Sequence, residues 1–84
     1  MLDIIEQRIK RLGSANEVSL TDLGLSPCEM DKILQEKLGY ERGEWDTNGW
    51  QGDNWISYSR PDRMPLTLYF CAWDFDIKFM SLED

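Results

Sequence analysis

Residues 18–60 constrain the fold of this chain more than any other stretch, because the spacing of their apolar side chains changes near Tyr40. In the first half, apolar residues recur as on one face of an α-helix, whereas in the second half apolar and polar residues alternate as along a half-buried strand. All four Trp, three Tyr and three Phe lie between Tyr40 and Phe79. We therefore predict a single domain, 1–84, made of a helical part, 2–39, and an antiparallel sheet, 40–80.

Three helices are predicted in the N-terminal part, namely 2–12, a short one of one or two turns at 21–24, and 26–38. The third has the strongest local signal. Ser26 suits the N-cap position, Pro27 fits the first helical position, and Glu29 stands where it can complete a capping box. A glycine, which is typical of helix C-terminal ends, closes each of the three segments.

Period-two segments predict a short strand at 17–20, a ribbon of strands at 40–45 and 54–60, and further strands at 66–73 and 75–79. The apolar phase slips by one residue between Ala72 and Phe75, so we expect a bulge or a tight turn there. Pro61 and Pro65 are expected to bracket a linker, and residues 81–84 are expected to fray.

This order of elements resembles the winged helix-turn-helix superfamily. The matching segments are 20–27, 33–34, 38–40 and the ribbon 45–58, with Asn48 and Gly49 near its tip. The resemblance covers residues 2–60 and implies an α+β, winged-helix-like fold with three N-terminal helices followed by a small antiparallel β-sheet. In that superfamily the second helix of the motif enters the DNA major groove. Here that helix would expose Cys28, Glu29, Lys32, Gln35 and Glu36.

The charges of the chain argue against DNA as its target. The formal net charge is −7, and the helix face that would meet DNA offers Lys32 against Glu29 and Glu36. Each phosphate contact needs a cation, so duplex binding is poorly supported. The alternative function, a DNA-binding transcriptional regulator or a replication accessory, would use Lys32, Gln35 and Arg42. It would also require the remaining bases of the helical part to gather on one face, namely Arg8, Lys10, Arg11 and Lys37.

Catalytic and metal-binding patterns are weak in this sequence. It contains no histidine, which removes the commonest general base and metal ligand. Cys28 and Cys71 have no metal-type spacing and are expected to be free, buried thiols, although Cys28 at a helix N-terminus leaves a redox role open. Asp74 and Asp76 are expected on the solvated side of a strand, with Phe75, Ile77 and Phe79 inward. We predict no catalytic residue, metal or cofactor, and no enzyme activity.

The tryptophans of the ribbon are its most informative residues. Trp50 lies at the predicted loop tip among polar neighbours, where burial is hardest, and exposed Trp is favoured as an interface anchor. Alternatively, Trp50 folds back over its own ribbon as a lid. One or two of the ribbon's indoles, together with Trp73, could pack against the helices. The predicted partner-binding residues are Trp45, Trp50 and Trp55, with Glu44, Asp46 and Asp53 to steer encounter and set specificity.

These features predict a small acidic binding protein that docks on a basic protein, such as a nucleic-acid-binding protein, and inhibits or recruits it. In size and charge the chain is similar to small acidic phage inhibitors, including anti-CRISPR proteins, and to bacterial immunity proteins. No run of residues is long and apolar enough to span a bilayer and no signal peptide is visible, so we expect the cytoplasm of a bacterium or of a phage-infected bacterium. Residues 66–79 could pair with a second copy if they lie at a sheet edge.

Overall fold

A five-stranded antiparallel sheet forms one layer of the protein, and helices cover one of its faces. The computed structural model describes residues 1–81. The strands follow the order β1-β5-β4-β3-β2 across the sheet, so β1 and β2 are its edges. Their bounds are β1 Glu17–Ser19, β2 Glu41–Asn48, β3 Asp53–Arg60, β4 Arg63–Cys71 and β5 Ile77–Ser81.

Two helices precede most of the sheet. The first, α1, spans Leu2–Arg11, and the second, α2, spans Pro27–Lys32 and continues as a π-helical turn over Ile33–Lys37. The predicted capping box of α2 is confirmed. The backbone N–H of Glu29 donates to Ser26 Oγ at 3.1 Å, and the Ser26 N–H donates to the Glu29 carboxylate at 2.9 Å. These bonds hold the pKa of Glu29 below its usual value. Neither helix of residues 1–81 is long and apolar enough to cross a membrane.

The predicted winged-helix-like fold with three N-terminal helices is wrong. The segment predicted to form one or two helical turns makes a single 3₁₀ turn, Thr21–Leu23, which is too short to be a third helix. It ends at Gly24, as predicted, where the backbone takes a left-handed φ of 69°. The predicted wing does not stand apart either. Its two strands, β2 and β3, belong to the same sheet as β4, β5 and β1. Residues 1–81 therefore form two helices against a continuous sheet.

The core lies between the helices and one face of the sheet. The helices contribute the fully buried side chains Ile5, Met30 and Leu34. The sheet contributes Ile56, Tyr58, Leu66, Leu68, Ile77 and Phe79. These sheet residues follow the predicted alternation, which puts every second side chain on the same face. Complete burial of each large apolar side chain contributes about 1.5–3 kcal/mol.

The linker predicted between Pro61 and Pro65 is instead a tight turn between β3 and β4. Pairing resumes at Arg63 after a register shift that follows Tyr58, so Pro65 lies within β4 beside an irregular stretch of the ladder. An irregularity of this kind tolerates proline because a ladder hydrogen bond is already missing. The slip between Ala72 and Phe75 also forms a turn, as predicted, with the Cys71 N–H donating to the Asp76 carbonyl at 3.0 Å.

The segment proposed for pairing with a second copy does not lie at a sheet edge. Its strand residues belong to β4, which pairs with β3 and β5, and to β5, which pairs with β4 and β1. The condition for edge-to-edge pairing through 66–79 is therefore not met. The C-terminal residues expected to fray begin inside β5 with Ser81, and residues 82–84 lie outside the described part of the chain.

Candidate functional site

Two loops lie side by side at one end of the sheet. One joins β2 to β3, and the other joins β4 to β5. The Ala72 N–H donates to the Gly52 carbonyl at 2.8 Å, and Cys71 Sγ lies 3.5 Å from the Gln51 carbonyl oxygen. We call residues 45–53 and 72–76 the loop end. These contacts make it one continuous surface, although its two parts lie far apart in sequence.

Large rings project from the loop end into solvent. The exposed fractions are 97% for Phe75, 95% for Trp50, 69% for Trp73 and 56% for Trp45. Trp50 does not fold back as a lid, so that alternative is wrong. Its backbone N–H donates to Asn48 Oδ1 at 3.2 Å, and the Asn48 amide in turn reaches Gln51 Oε1 at 3.4 Å. An ordered turn therefore presents a free ring.

The Trp73 ring lies directly on Gly52. Gly52 has a φ of 71°, and a Cβ added there would lie 2.0 Å from Trp73 Cδ1. A glycine is required at this position for two reasons, since the backbone is left-handed and the indole occupies the space of a side chain. This contact connects the two loops and fixes the direction of Trp73.

Four carboxylates surround these rings. They belong to Asp46, Asp53, Asp74 and Asp76. Residues 43–59 and 64–77 contain no Lys or Arg. The ion pairs found among residues 1–81 join Arg8 to Asp22, Arg42 to Asp31, Arg60 to Asp62, Arg63 to Glu6 and Lys78 to Glu17. None of them includes an acid of the loop end, so the negative charge there is not compensated locally.

The predicted partner-binding residues do not form one surface. Trp45 pairs with Ile56 and so lies on the helix-covered face, where its Nε1 donates to Asn54 Oδ1 at 3.1 Å and its ring meets Phe70 edge-on. Trp55 is half-buried on the opposite, open face, with its ring centroid 5.7 Å from that of Tyr69. Of the three tryptophans, Trp50 alone lies in the loop between β2 and β3 and not on a face of the sheet.

The predicted acids also differ in their surroundings. Asp46 lies opposite Trp55 in the ladder, at the open face, and Glu44 is exposed in the irregular stretch of β2 between Arg42 and Trp45. Asp53 accepts a hydrogen bond from the Tyr69 hydroxyl at 2.6 Å, and this bond raises the pKa of Tyr69. Asp46 and Asp53 thus belong to the loop end, whereas Glu44 lies on the edge strand outside it.

Two of the residues suggested for nucleic-acid binding are engaged within the protein. Gln35 and Arg42 both donate to the Asp31 carboxylate, at 3.0 and 3.3 Å. The Tyr58 hydroxyl donates to the same group at 2.5 Å, and burial together with this bond raises the pKa of Tyr58. Lys32 is exposed. Side chains committed to an internal carboxylate are poorly placed to read phosphates or bases.

Trp73 and Phe75 are the residues that sequence reasoning misplaced. Phe75 was expected to point inward along a strand, but residues 72–76 form a turn, and the ring is almost wholly exposed. Ile77 and Phe79 are buried as predicted. The phase slip between Ala72 and Phe75 marked the position of the turn and could have indicated that the rings within it leave the core.

The two thiols differ in their exposure. Cys28 is exposed and Cys71 is half-buried, and both are free, so the expected burial of Cys28 is wrong. Within residues 1–81, no three His, Cys, Asp or Glu side chains are grouped as a metal site would require. The exposed rings and carboxylates of the loop end are the most distinctive chemistry on the described surface.

Comparisons with family models, with curated proteins and with solved structures found no match for this chain.

Proposed function

We propose that the protein is a non-enzymatic binding protein whose loop end docks on a basic surface of a partner protein and thereby inhibits or recruits that partner. The observation that supports this most is the coincidence of the exposed rings of Trp50, Trp73 and Phe75 with four carboxylates at one end of the sheet, where residues 43–59 and 64–77 contain no Lys or Arg.

Each component has a separate physical role in such docking. Exposed Trp and Phe side chains gain free energy when a partner covers them, and large rings are the usual hot spots of protein interfaces. The carboxylates attract a basic surface over long range and disfavour acidic partners. Trp50 and Phe75 would be the main anchors, because they are the most exposed rings. Asp46, Asp53, Asp74 and Asp76 would steer the encounter.

The proposed location is the cytoplasm of a bacterium, or of a bacterium infected by a phage. Basic nucleic-acid-binding proteins are abundant there and match the charge of the loop end. The small size and acidity of the chain are similar to those of phage inhibitors such as anti-CRISPR proteins, which supports inhibition as the outcome of docking.

Affinity capture from a bacterial lysate with matched variants tests this proposal. The wild type is compared with the double variant Trp50→Ala/Phe75→Ala and with Met64→Ala, whose side chain is 59% exposed at the other end of the sheet. We expect a basic protein to be retained by the wild type and by Met64→Ala but lost with the double variant. Equal capture of that protein by all three baits would refute the assignment of the loop end.

A titration of labelled mixed-sequence duplex DNA separates this function from DNA binding. Phosphate-driven binding must weaken steeply between about 50 and about 200 mM salt. We expect no binding at either salt concentration. Micromolar or tighter binding with a steep salt dependence would favour a regulator and would contradict the proposed protein target.

A further inference from the structure

The strand β2 lies at the edge of the sheet, so one of its two sides faces no other strand of residues 1–81. It spans Glu41–Asn48, pairs with β3 on its other side, and contains no proline. Seven of its eight residues are exposed. The other edge, β1, is only three residues long. An edge strand leaves a row of N–H and C=O groups that another strand can bind.

The charges of β2 determine which strand can add there. Glu41, Glu44 and Asp46 are exposed along it, whereas its single base, Arg42, lies 3.3 Å from the Asp31 carboxylate in an ion pair. A second copy of β2 would bring like charges together across the new ladder, which is unfavourable. A strand that carries Lys or Arg would instead meet opposite charges. The edge is therefore acidic enough to resist self-pairing and to favour a basic segment.

A groove beside β2 adds a second element of recognition. It lies between α2 and the sheet on the helix-covered face and has a volume of about 400 Å³. Its lining includes Ser26, Pro27, Cys28, Trp45 and Phe70. Since Trp45 belongs to β2, the groove borders the edge strand. Asp46, the next residue, lies at the open face beside Trp55.

We propose that β2 accepts an extended, basic segment of a partner protein as a sixth strand of the sheet. Lys or Arg side chains of that segment lie on the open-face side, near Glu41 and Asp46, and the alternate apolar side chains enter the groove beside Trp45. In this mode of recognition main-chain hydrogen bonds supply affinity, and pockets for alternate side chains supply specificity. The inference rests on the proposed function for the basic nature of the partner, but it uses the sheet edge and the groove beside Trp45, and not the rings of Trp50 and Phe75.

A defined peptide tests strand addition directly. The probe is a blocked peptide of alternating Lys and Val with one residue for each of the eight residues of β2, and its counterpart has Glu in place of Lys. Amide hydrogen exchange of the full chain is followed by NMR with and without each peptide. We expect slower exchange within residues 41–48 on addition of the Lys peptide and no change with the Glu peptide. Absence of binding by the Lys peptide, or binding without slower exchange in β2, overturns the proposal.

Matched charge variants distinguish the effect of the acids of β2 on peptide binding from the effect of the net charge of the protein. Glu41→Lys/Glu44→Lys changes β2, whereas Asp3→Lys/Glu36→Lys makes the same change in net charge on the helices. We expect the β2 variant to weaken binding of the Lys peptide at least tenfold, or about 1.4 kcal/mol, and the helix variant to weaken it much less. Equal losses would show that net charge and not the edge attracts the peptide.

The variant Trp50→Ala/Phe75→Ala distinguishes strand addition at β2 from docking through the loop end. It should bind the Lys peptide as the wild type does, because neither ring lies on β2 or in the groove. A failure of the peptide experiment alone overturns strand addition and leaves docking through the loop end standing. Retention of the lysate partner by this variant, together with loss on Glu41→Lys/Glu44→Lys, overturns the role of the loop end and supports the edge.

Discussion

The two ends of the sheet use arginines, acids and rings in opposite ways. At the end where β3 turns into β4, which we call the turn end, Arg60 pairs with Asp62 at 2.7 Å and Arg63 pairs with Glu6. The Tyr40 ring is buried there, with the Arg60 guanidinium 5.9 Å from its centroid. The arginines and acids of the turn end therefore pair with one another, and its ring is covered by the protein.

The loop end has exposed rings, and acids that have no ionic partner among residues 1–81. Trp50 and Phe75 are almost wholly exposed, and no ion pair among residues 1–81 includes its carboxylates. The difference between the ends shows that amino-acid composition alone does not identify a binding surface. A ring or a carboxylate is available to a partner only where the fold leaves it uncompensated.

Truncating one ring at each end should give the largest contrast in stability. Tyr40→Ala removes a side chain that is only 3% exposed and should lower the free energy of unfolding by about 3 kcal/mol or more. Phe75→Ala removes a ring that is 97% exposed and should change it by less than about 0.5 kcal/mol. Urea unfolding followed by circular dichroism measures both. A large loss for Phe75→Ala would mean that its ring belongs to the core.

Gly52→Ala should disturb the order within the loop end. The substitution puts a side chain at a φ of 71° and into the Trp73 ring, so we expect a loss of about 1–2 kcal/mol and a displaced indole signal in NMR spectra. Gly49→Ala is the matched control, because a Cβ there meets nothing within 4 Å. Equal effects at the two glycines would show that Trp73 does not rest on Gly52.

The ion pair of Arg63 with Glu6 at the turn end should stabilise the fold modestly. Both side chains are more than a quarter exposed, so Arg63→Ala should cost about 1 kcal/mol at neutral pH and low salt. The cost should decrease at high salt, since screening weakens the pair in the wild type. A cost that does not depend on salt, measured by urea unfolding, would assign the effect to lost packing instead.

The same ion pair predicts that the free energy of unfolding decreases at acidic pH. The hydrogen bond from Arg63 lowers the pKa of Glu6 below its ordinary value of 4.5. This contribution to stability is therefore present above about pH 4.5 and is lost as the pH falls through the lowered pKa. Glu6→Gln should lose less stability than the wild type between about pH 5 and pH 3. Urea unfolding at each pH measures this difference, and an equal loss in the two proteins would contradict it.

Neutralising acids at the loop end should have the smallest effect on stability. Asp74→Asn/Asp76→Asn should leave the midpoint of thermal unfolding unchanged within about 2–4 °C, because surface changes outside ion pairs amount to about 0.5 kcal/mol or less. It should nevertheless slow association with a basic partner, since those charges steer encounter. A marked loss of stability would show that the two carboxylates have structural partners.

Local signals predicted the parts of the fold that depend on local interactions. The capping box of Ser26 and Glu29 formed because two hydrogen bonds close within four residues, and period-two alternation correctly placed Ile77 and Phe79 in the core. The predicted second helix is only one 3₁₀ turn, because just three residues, Thr21–Leu23, precede Gly24 in that segment. Without that helix, the order of elements no longer corresponds to a winged helix.

The site could be predicted only in part. The position of Trp50 in a polar loop indicated its exposure. The packing of Trp73 on Gly52 could not be read from sequence, because it depends on the Gly52 carbonyl of one loop pairing with the Ala72 N–H of the other. Strand order, and hence which edge is free, likewise depends on long-range pairing that no local pattern specifies.

The indole N–H signals of the four tryptophans offer the most direct test of docking through the loop end. The protein, isotope-labelled on nitrogen, is titrated with the basic protein captured from lysate, and the signals of Trp45, Trp50, Trp55 and Trp73 are followed. The proposal predicts large shifts or broadening for Trp50 and Trp73, and little change for Trp55, which lies half-buried on the open face. Perturbation of Trp55 with Trp50 and Trp73 unchanged would contradict it.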